Sequence, residues 1–148
     1  MKGFLMVFCL MFLTNNSVLS QVDDVDSVIA YMLSPDLMTP KSLSCDDIQT
    51  RYDVVKVDLT SYTSRIFSGL KSENAIQLPE HASNSIDARY QINIYQKNKS
   101  LVRVCFSGNA PQDIIYIEGK YYKLKNMDVK YILDSIYDKN IDLFFEKD

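Results

Sequence analysis

Alternation of apolar and polar positions is clearest over residues 89–106, RYQINIYQKNKSLVRVCF. Two alternating runs flank the polar residues 97–99, which is typical of a β-hairpin. If 97–99 form the loop, Ile94 lies opposite Val102. A shift by one residue would turn every apolar side chain to the other face. The pattern therefore predicts a hairpin over 89–106 with a three-residue loop.

A second hairpin is predicted over 113–124, around the dipeptide Glu118-Gly119. Glycine supplies the positive φ that tight hairpin turns require. This turn places Tyr116 opposite Tyr121.

The C-terminal region carries a helical pattern over 126–138. Asn126 is a suitable N-cap residue, and Asp128 in the first turn favours the helix dipole. Apolar residues then recur at the spacing of one helix face: Val129, Ile132, Leu133 and Ile136. The sequence therefore predicts an amphipathic helix that covers a sheet.

The first half of the chain has weaker patterns of the same kinds. Residues 27–33 and 53–59 read as strands, although a helix stays open for 27–33. A short helix is predicted over 44–52, where Ser44 begins a sequence that resembles a capping box. Another is predicted over 60–70.

Gly69 is expected to end this last helix. A short strand at 75–78 is a further option, within the polar segment 71–87. Together the patterns predict an α+β protein, with an antiparallel sheet packed by helices.

The first twenty residues are typical of a cleaved signal peptide. Lys2 precedes ten apolar residues, 4–13, and the polar residues that follow lead to a cleavage site after Ser20. Ten apolar residues fall short of the ~20 that a membrane span needs. We therefore expect a mature single domain over 21–148, located in the periplasm or secreted.

Cleavage changes the cysteine count from three to two, because Cys9 lies in the signal segment. Cys45 and Cys105 are then the only pair, and an oxidising compartment favours a disulfide between them. Closing that loop of 60 residues would stabilise the fold by about 4 kcal/mol on the chain-entropy model. Two buried free thiols are the alternative.

Composition excludes several classes of function. The 148 residues carry a net charge of −3, whereas a nucleic-acid binder is usually basic. One histidine and two cysteines prone to disulfide formation do not supply a zinc site, and the few glycines form no phosphate-binding loop. We therefore expect no metal and no cofactor.

No catalytic motif is present, so the chain is expected not to be an enzyme. His81 is the only histidine, and a Ser–His–Asp or Cys–His site would have to use it. A pair of carboxylates is the other catalytic option, although the sequence does not identify which two would form it.

Tyrosine is the residue type that stands out, with ten in the chain. Three of them are interpreted as ordinary packing residues: Tyr90, Tyr122 and Tyr131. The predicted registers place other tyrosines on one face of the sheet, while Ile92 and Val104 point to the other face. The candidate partner-binding residues are Tyr95, Leu101, Arg103, Tyr116 and Tyr121. Tyrosine and arginine are enriched in recognition hot spots.

Two conditions limit this surface. Tyr116 and Tyr121 join it only if the two hairpins pair in the required register. The first-half helices could also bury the face.

Four short sequences carry a resemblance to a known group of proteins: SCDDIQTRYD (44–53), IDARYQINIY (86–95), the pair Val104-Cys105, and IEGKYYK (117–123). This pattern resembles small secreted single-domain proteins of unassigned function from Bacteroidetes-type Gram-negative bacteria. The resemblance implies a bacterial extracytoplasmic protein and carries over no active site.

The function expected from the sequence is that of an exported, non-enzymatic protein-binding module. An immunity or inhibitor protein that acts on a toxin or enzyme in the periplasm would fit this description. The alternatives are a small secreted hydrolase that uses His81 or a carboxylate pair, and a ligand-binding accessory protein of the envelope with an apolar cavity.

Overall fold

The structure, a computed structural model, describes the chain in eight stretches. These are 24–34, 38–39, 41–51, 53–71, 74–79, 86–98, 100–108 and 113–140. The predicted signal segment and His81 lie outside the described residues.

Seven strands form one antiparallel sheet in the described part of the chain. They are β1 (Val25–Met32), β2 (Val55–Asp58), β3 (Ala75–Gln77), β4 (Ala88–Gln96), β5 (Leu101–Ser107), β6 (Ile114–Ile117) and β7 (Lys120–Leu124). Their order across the sheet is β2-β1-β4-β5-β6-β7-β3. Residues 27–33 therefore contribute to a strand rather than a helix.

The pairing of β4 with β5 has the register that the alternation predicts. Ile94 lies opposite Val102, and Tyr90 lies opposite Phe106. At the loop, the N–H of Gln96 donates to the carbonyl of Ser100 over 3.0 Å. The apolar side chains of both strands therefore reach the same face.

The turn between β6 and β7 has positive φ at both central residues, 47° at Glu118 and 84° at Gly119. Two successive positive φ angles are the mark of a type I′ turn, whose twist matches that of the flanking strands. Tyr116 lies opposite Tyr121 across it, as predicted. The pattern predicted the positive φ of the glycine and missed that of Glu118.

Two α-helices, α1 (Thr63–Leu70) and α2 (Asp128–Lys139), pack on one face of the sheet. The predicted apolar stripe of α2 is buried there, together with Ile66 and Leu70 of α1. This sheet-and-helix arrangement confirms the α+β class. Neither helix is long and apolar enough to cross a membrane, in the part of the chain that the structure describes.

The start of α2 differs from the prediction. The helix begins at Asp128 rather than 126, and its N-cap is Met127, with no capping hydrogen bond from a side chain. The N–H of Lys125 still donates to the carbonyl of Asn74 at the sheet edge, over 2.7 Å. Because this bond keeps residue 125 with the sheet, Asn126 comes too early to cap the helix. Its Oδ1 is buried and has no hydrogen-bond partner among the described residues.

Gly69 does not end α1, which continues to Leu70. The glycine is buried, and a Cβ built on it would lie 2.3 Å from Cγ2 of Val129. Its role is therefore close contact between the two helices, which the prediction mistook for a helix end.

The predicted helix over 44–52 is reduced to one 3-10 turn, Ile48–Thr50. Half of the capping pattern forms, because the carboxylate of Asp47 accepts from the N–H of Ser44. It also accepts from the Ser44 hydroxyl, so this hydroxyl donates rather than capping the N–H of Asp47. These bonds hold the pKa of Asp47 below its usual value. The sequence pattern that begins at Ser44 therefore correctly predicted the start of a turn, but the residues that follow do not extend this turn into a helix.

Candidate functional site

The five predicted partner-binding residues lie on one face of the sheet, opposite the helices. Tyr95 pairs with Leu101, and Arg103 lies two residues further along β5. Cys105 pairs with Tyr116, and Tyr116 pairs with Tyr121. Paired residues share a face, and so do residues two apart on one strand. We call this surface, defined by Tyr95, Leu101, Arg103, Tyr116 and Tyr121, the tyrosine face.

The tyrosine face is partly covered. Residues 41–51 lie over its middle and pack Leu43, Cys45 and Ile48 around Cys105. Helix α1 packs on the opposite face. Within the described residues, the segment that covers the tyrosine face is therefore 41–51, which includes most of the predicted short helix 44–52. Leu101 keeps 38% of its surface exposed, and the Arg103 side chain keeps 35%.

Cys45 and Cys105 form the predicted disulfide, with their Cα atoms 5.8 Å apart. It joins the covering segment to the middle of β5. Nearby, Oδ1 of Asp87 accepts from the N–H of Leu43 over 3.0 Å, and the N–H of Ala88 donates to the carbonyl of Leu43 over 2.9 Å. The covering segment is therefore held to the sheet by one covalent bond and by hydrogen bonds.

A buried polar network lies on the same side of the sheet as the tyrosine face, next to the covering segment. The amides of Gln91 and Asn93, both on β4, are hydrogen-bonded over 2.8 Å, and Asn93 contacts the Tyr95 hydroxyl at 3.3 Å. In the opposite orientation of its amide, which satisfies more of its neighbours, Gln91 instead donates to the carbonyl of Cys45 and accepts from Nε of Arg103. Buried polar groups that are fully paired restrict the side chains that they contact.

Arg103 is the charged centre of this face. Its guanidinium is ion-paired with Asp46 of the covering segment. The backbone N–H of Arg103 donates to Oε1 of Glu118 over 3.0 Å. The Asp46 carboxylate remains 82% exposed. At the other end, burial raises the pKa of Tyr31, and the adjacent Tyr95 hydroxyl adds to that effect.

Tyr116 and Tyr121 form an edge-to-face pair, with ring centroids 5.2 Å apart. Together with Ile86 and residues 42–46 they line a pocket of about 180 Å³. Asp46 is also among the lining residues. We call this pocket the tyrosine pocket.

A second pocket of about 240 Å³ lies between α1 and α2, on the helical side of the protein. Tyr62, Arg65, Tyr131 and Lys139 contribute to its lining. Tyr131 is 68% exposed, so its interpretation as a packing residue is wrong. The reason is its position on the side of α2 that faces away from the sheet, one residue before the buried Ile132. The sequence analysis missed this pocket because its residues come from two helices whose contact no local pattern predicts.

Candidate catalytic and metal-binding groups are few in the described residues. No group of three or more His, Cys, Asp or Glu side chains in these stretches could hold a metal ion. His81, on which the hydrolase alternative depends, lies outside them. Comparison with protein families, with curated proteins and with solved structures found no match. The resemblance to small secreted bacterial proteins therefore stays a prediction, and the functional argument rests on the site.

Proposed function

We propose that this protein is an exported, non-enzymatic binding module that engages a basic protein partner through the tyrosine face. An immunity or inhibitor protein that blocks a toxin or enzyme in the periplasm is the form of this function that we favour. The observation that carries the proposal is the placement of three tyrosines, one leucine and one arginine on one partly open sheet face.

The residue types on the tyrosine face are suited to binding a protein partner. Tyrosine and arginine are over-represented among residues whose truncation costs the most binding energy, because each combines a large contact area with a polar group. Leu101, at 38% exposure, adds an apolar contact beside Tyr95. Arg103 lies between these residues and the tyrosine pocket.

The face is also held in place before any partner arrives. The Cys45–Cys105 disulfide anchors the covering segment, and the Gln91 amide and Asp46 restrain Arg103. Side chains that are already ordered lose less conformational entropy on binding, which leaves more of the contact energy for affinity.

Charge favours a basic partner. The chain has 19 acidic and 16 basic residues, and Asp46 and Glu118 lie exposed at the tyrosine face. A net negative charge on the chain accelerates the encounter with a basic protein and disfavours acidic ones. Export is supported by the signal-like first twenty residues and by a disulfide, which persists in oxidising compartments.

The alternatives have less support. A ligand-binding accessory protein would need an apolar cavity of roughly 300–1,000 Å³. The two pockets described above measure about 180 and 240 Å³. The hydrolase alternative depends on His81, which lies outside the described residues, or on a carboxylate pair that the sequence does not specify.

The test begins with affinity capture from periplasmic extract of the source cells, followed by purification of the captured protein and measurement of its Kd by calorimetry. We expect the double variant Tyr95→Ala/Tyr116→Ala to raise Kd at least tenfold, which corresponds to about 1.4 kcal/mol. Tyr131→Ala is the matched control, because it removes an exposed tyrosine from the helical side.

Thermal unfolding of each variant checks that the fold is retained. Equal loss of affinity in the control and in the double variant would contradict the tyrosine face as the binding surface. A Kd that does not rise with ionic strength would contradict the electrostatic part of the proposal.

A further inference from the structure

The tyrosine pocket has walls from two distant parts of the chain. One wall is the Tyr116–Tyr121 pair on β6 and β7, and the other is residues 42–46. Cys105 pairs directly with Tyr116 in the sheet and is bonded to Cys45 in the opposite wall. The disulfide therefore fixes the spacing between the two walls.

The size of this pocket points to a single side chain as the occupant. Its volume of about 180 Å³ lies below the roughly 300–1,000 Å³ of most small-molecule sites. Binding hot spots often consist of one anchoring side chain that fills a pocket in the partner.

The chemistry of the lining selects the kind of side chain. Leu43, Ile86 and the two tyrosine rings offer apolar and π surface, and Asp46 supplies a carboxylate that is 82% exposed. Oδ1 of Asp46 is bonded to Arg103, and among the described residues no group is bonded to Oδ2, so Oδ2 can meet a second cation. Arginine and lysine combine a long apolar stem with a cationic end that is attracted to aromatic rings and carboxylates.

We propose that the tyrosine pocket receives an arginine or lysine side chain of the partner protein, with the stem between the walls and the cation at Asp46. This inference rests on the proposed function, and it names the partner group that this part of the tyrosine face recognises. A neutral sugar would also find hydroxyls and aromatic rings here, but it would make no use of the exposed carboxylate.

The experiment uses short blocked peptides as probes and the full mature chain, with its tyrosine rings followed by NMR. The probes are acetyl-Gly-Gly-Xaa-Gly-Gly-amide, where Xaa is arginine, lysine or norleucine. We expect saturable shifts of the Tyr116 and Tyr121 resonances with the arginine and lysine peptides. The norleucine peptide, which has the stem without the charge, should shift them at least fivefold less at equal concentration.

Variants locate the cation. Asp46→Asn should weaken the arginine peptide at least threefold, and Tyr121→Leu should do the same by removing one ring. Asp128→Asn, on the helical side, is the matched control and should change nothing. Equal shifts from norleucine would overturn the cationic assignment, and shifts from N-acetylglucosamine without any from arginine would assign the pocket to a sugar.

Failure of this inference and failure of the proposed function give different results. If the captured partner binds Asp46→Asn and Tyr121→Leu as tightly as wild type, the pocket assignment is wrong while the binding function stands. If the arginine peptide binds but no protein partner is captured, the pocket assignment stands and the proposed function is wrong.

Discussion

Val129 of α2 occupies the space that the missing side chain of Gly69 leaves on α1. A Cβ at residue 69 would lie 2.3 Å from Cγ2 of Val129, closer than two carbon atoms that are not bonded to each other normally approach. The two helices therefore approach each other this closely because residue 69 has no side chain.

Gly69→Ala should lower the free energy of unfolding by about 1–3 kcal/mol, because the added methyl group overpacks the helix contact. The gain in helix propensity of roughly 1 kcal/mol offsets part of this cost. Urea unfolding monitored by circular dichroism measures the change. Ser68→Ala, an exposed position on the same helix, is the control and should stay within about 0.5 kcal/mol of wild type.

A second substitution distinguishes steric strain from a general loss of stability. In the Gly69→Ala background, Val129→Ala should cost less than it does in the wild type, because it removes the clashing methyl group. Strictly additive effects of the two substitutions would contradict the contact.

Replacement of both cysteines by alanine should lower the free energy of unfolding by about 4 kcal/mol on the chain-entropy model for a loop of 60 residues. Urea unfolding of Cys45→Ala/Cys105→Ala provides the measurement, and wild type under reducing conditions is the comparison. Both should show a similar loss. A change below about 1 kcal/mol would show that the disulfide adds little to the contacts around it.

Tyr90 gives the protein a predicted sensitivity to alkaline pH. It is buried beneath α2 and donates to Oδ1 of Asp134 over 2.9 Å. Burial, followed by the charge of Asp134, raises the pKa of Tyr90 well above its usual value of about 10. The unfolded chain therefore loses this proton first. The stability from the neutral Tyr90 is fully present below about pH 10 and is lost as pH rises above it.

Tyr90→Phe should therefore flatten the fall in stability above pH 10, by up to about 1.4 kcal/mol per pH unit. At pH 7 the same variant should lose about 1 kcal/mol through the missing hydrogen bond. Urea unfolding at several pH values from 7 to 11 tests both effects. Tyr131→Phe should leave the profile of the wild type unchanged, and equal profiles for all three proteins would refute the role of Tyr90.

Substitution of Gly119 tests the backbone conformation of the β6–β7 turn rather than side-chain packing. Its φ is 84°, and a Cβ there would meet no atom of the described residues within 4 Å. Gly119→Ala should cost about 1–2 kcal/mol from left-handed strain alone. Gly119→Asn should cost less, because asparagine tolerates this region better. Thermal unfolding of both variants measures the difference, and equal stability of alanine and glycine at this position would argue against the turn geometry.

Local patterns were sufficient to predict much of the sheet and the last helix. The β4–β5 register follows from the alternation around residues 97–99, because a shift would bury polar side chains. The prediction of the apolar stripe of α2 was also correct, because the buried residues of one helix face recur at a fixed spacing. Errors arose at element ends, as at Asn126 and Gly69, where the next contact lies far away in the sequence.

The amino-acid sequence by itself determined which residues alternate and which hairpins they form. It also predicted a disulfide between Cys45 and Cys105, on the expectation that Cys9 leaves with a signal peptide. Only the tertiary structure decided that Cys105 pairs with Tyr116, so that both hairpins contribute to the tyrosine face. It also decided that α1 and α2 share the opposite face, and that residues 41–51 cover only part of the tyrosine face. The physical reason is that alternation separates two faces of a strand without saying which one the helices cover. That choice depends on packing between elements far apart in the chain.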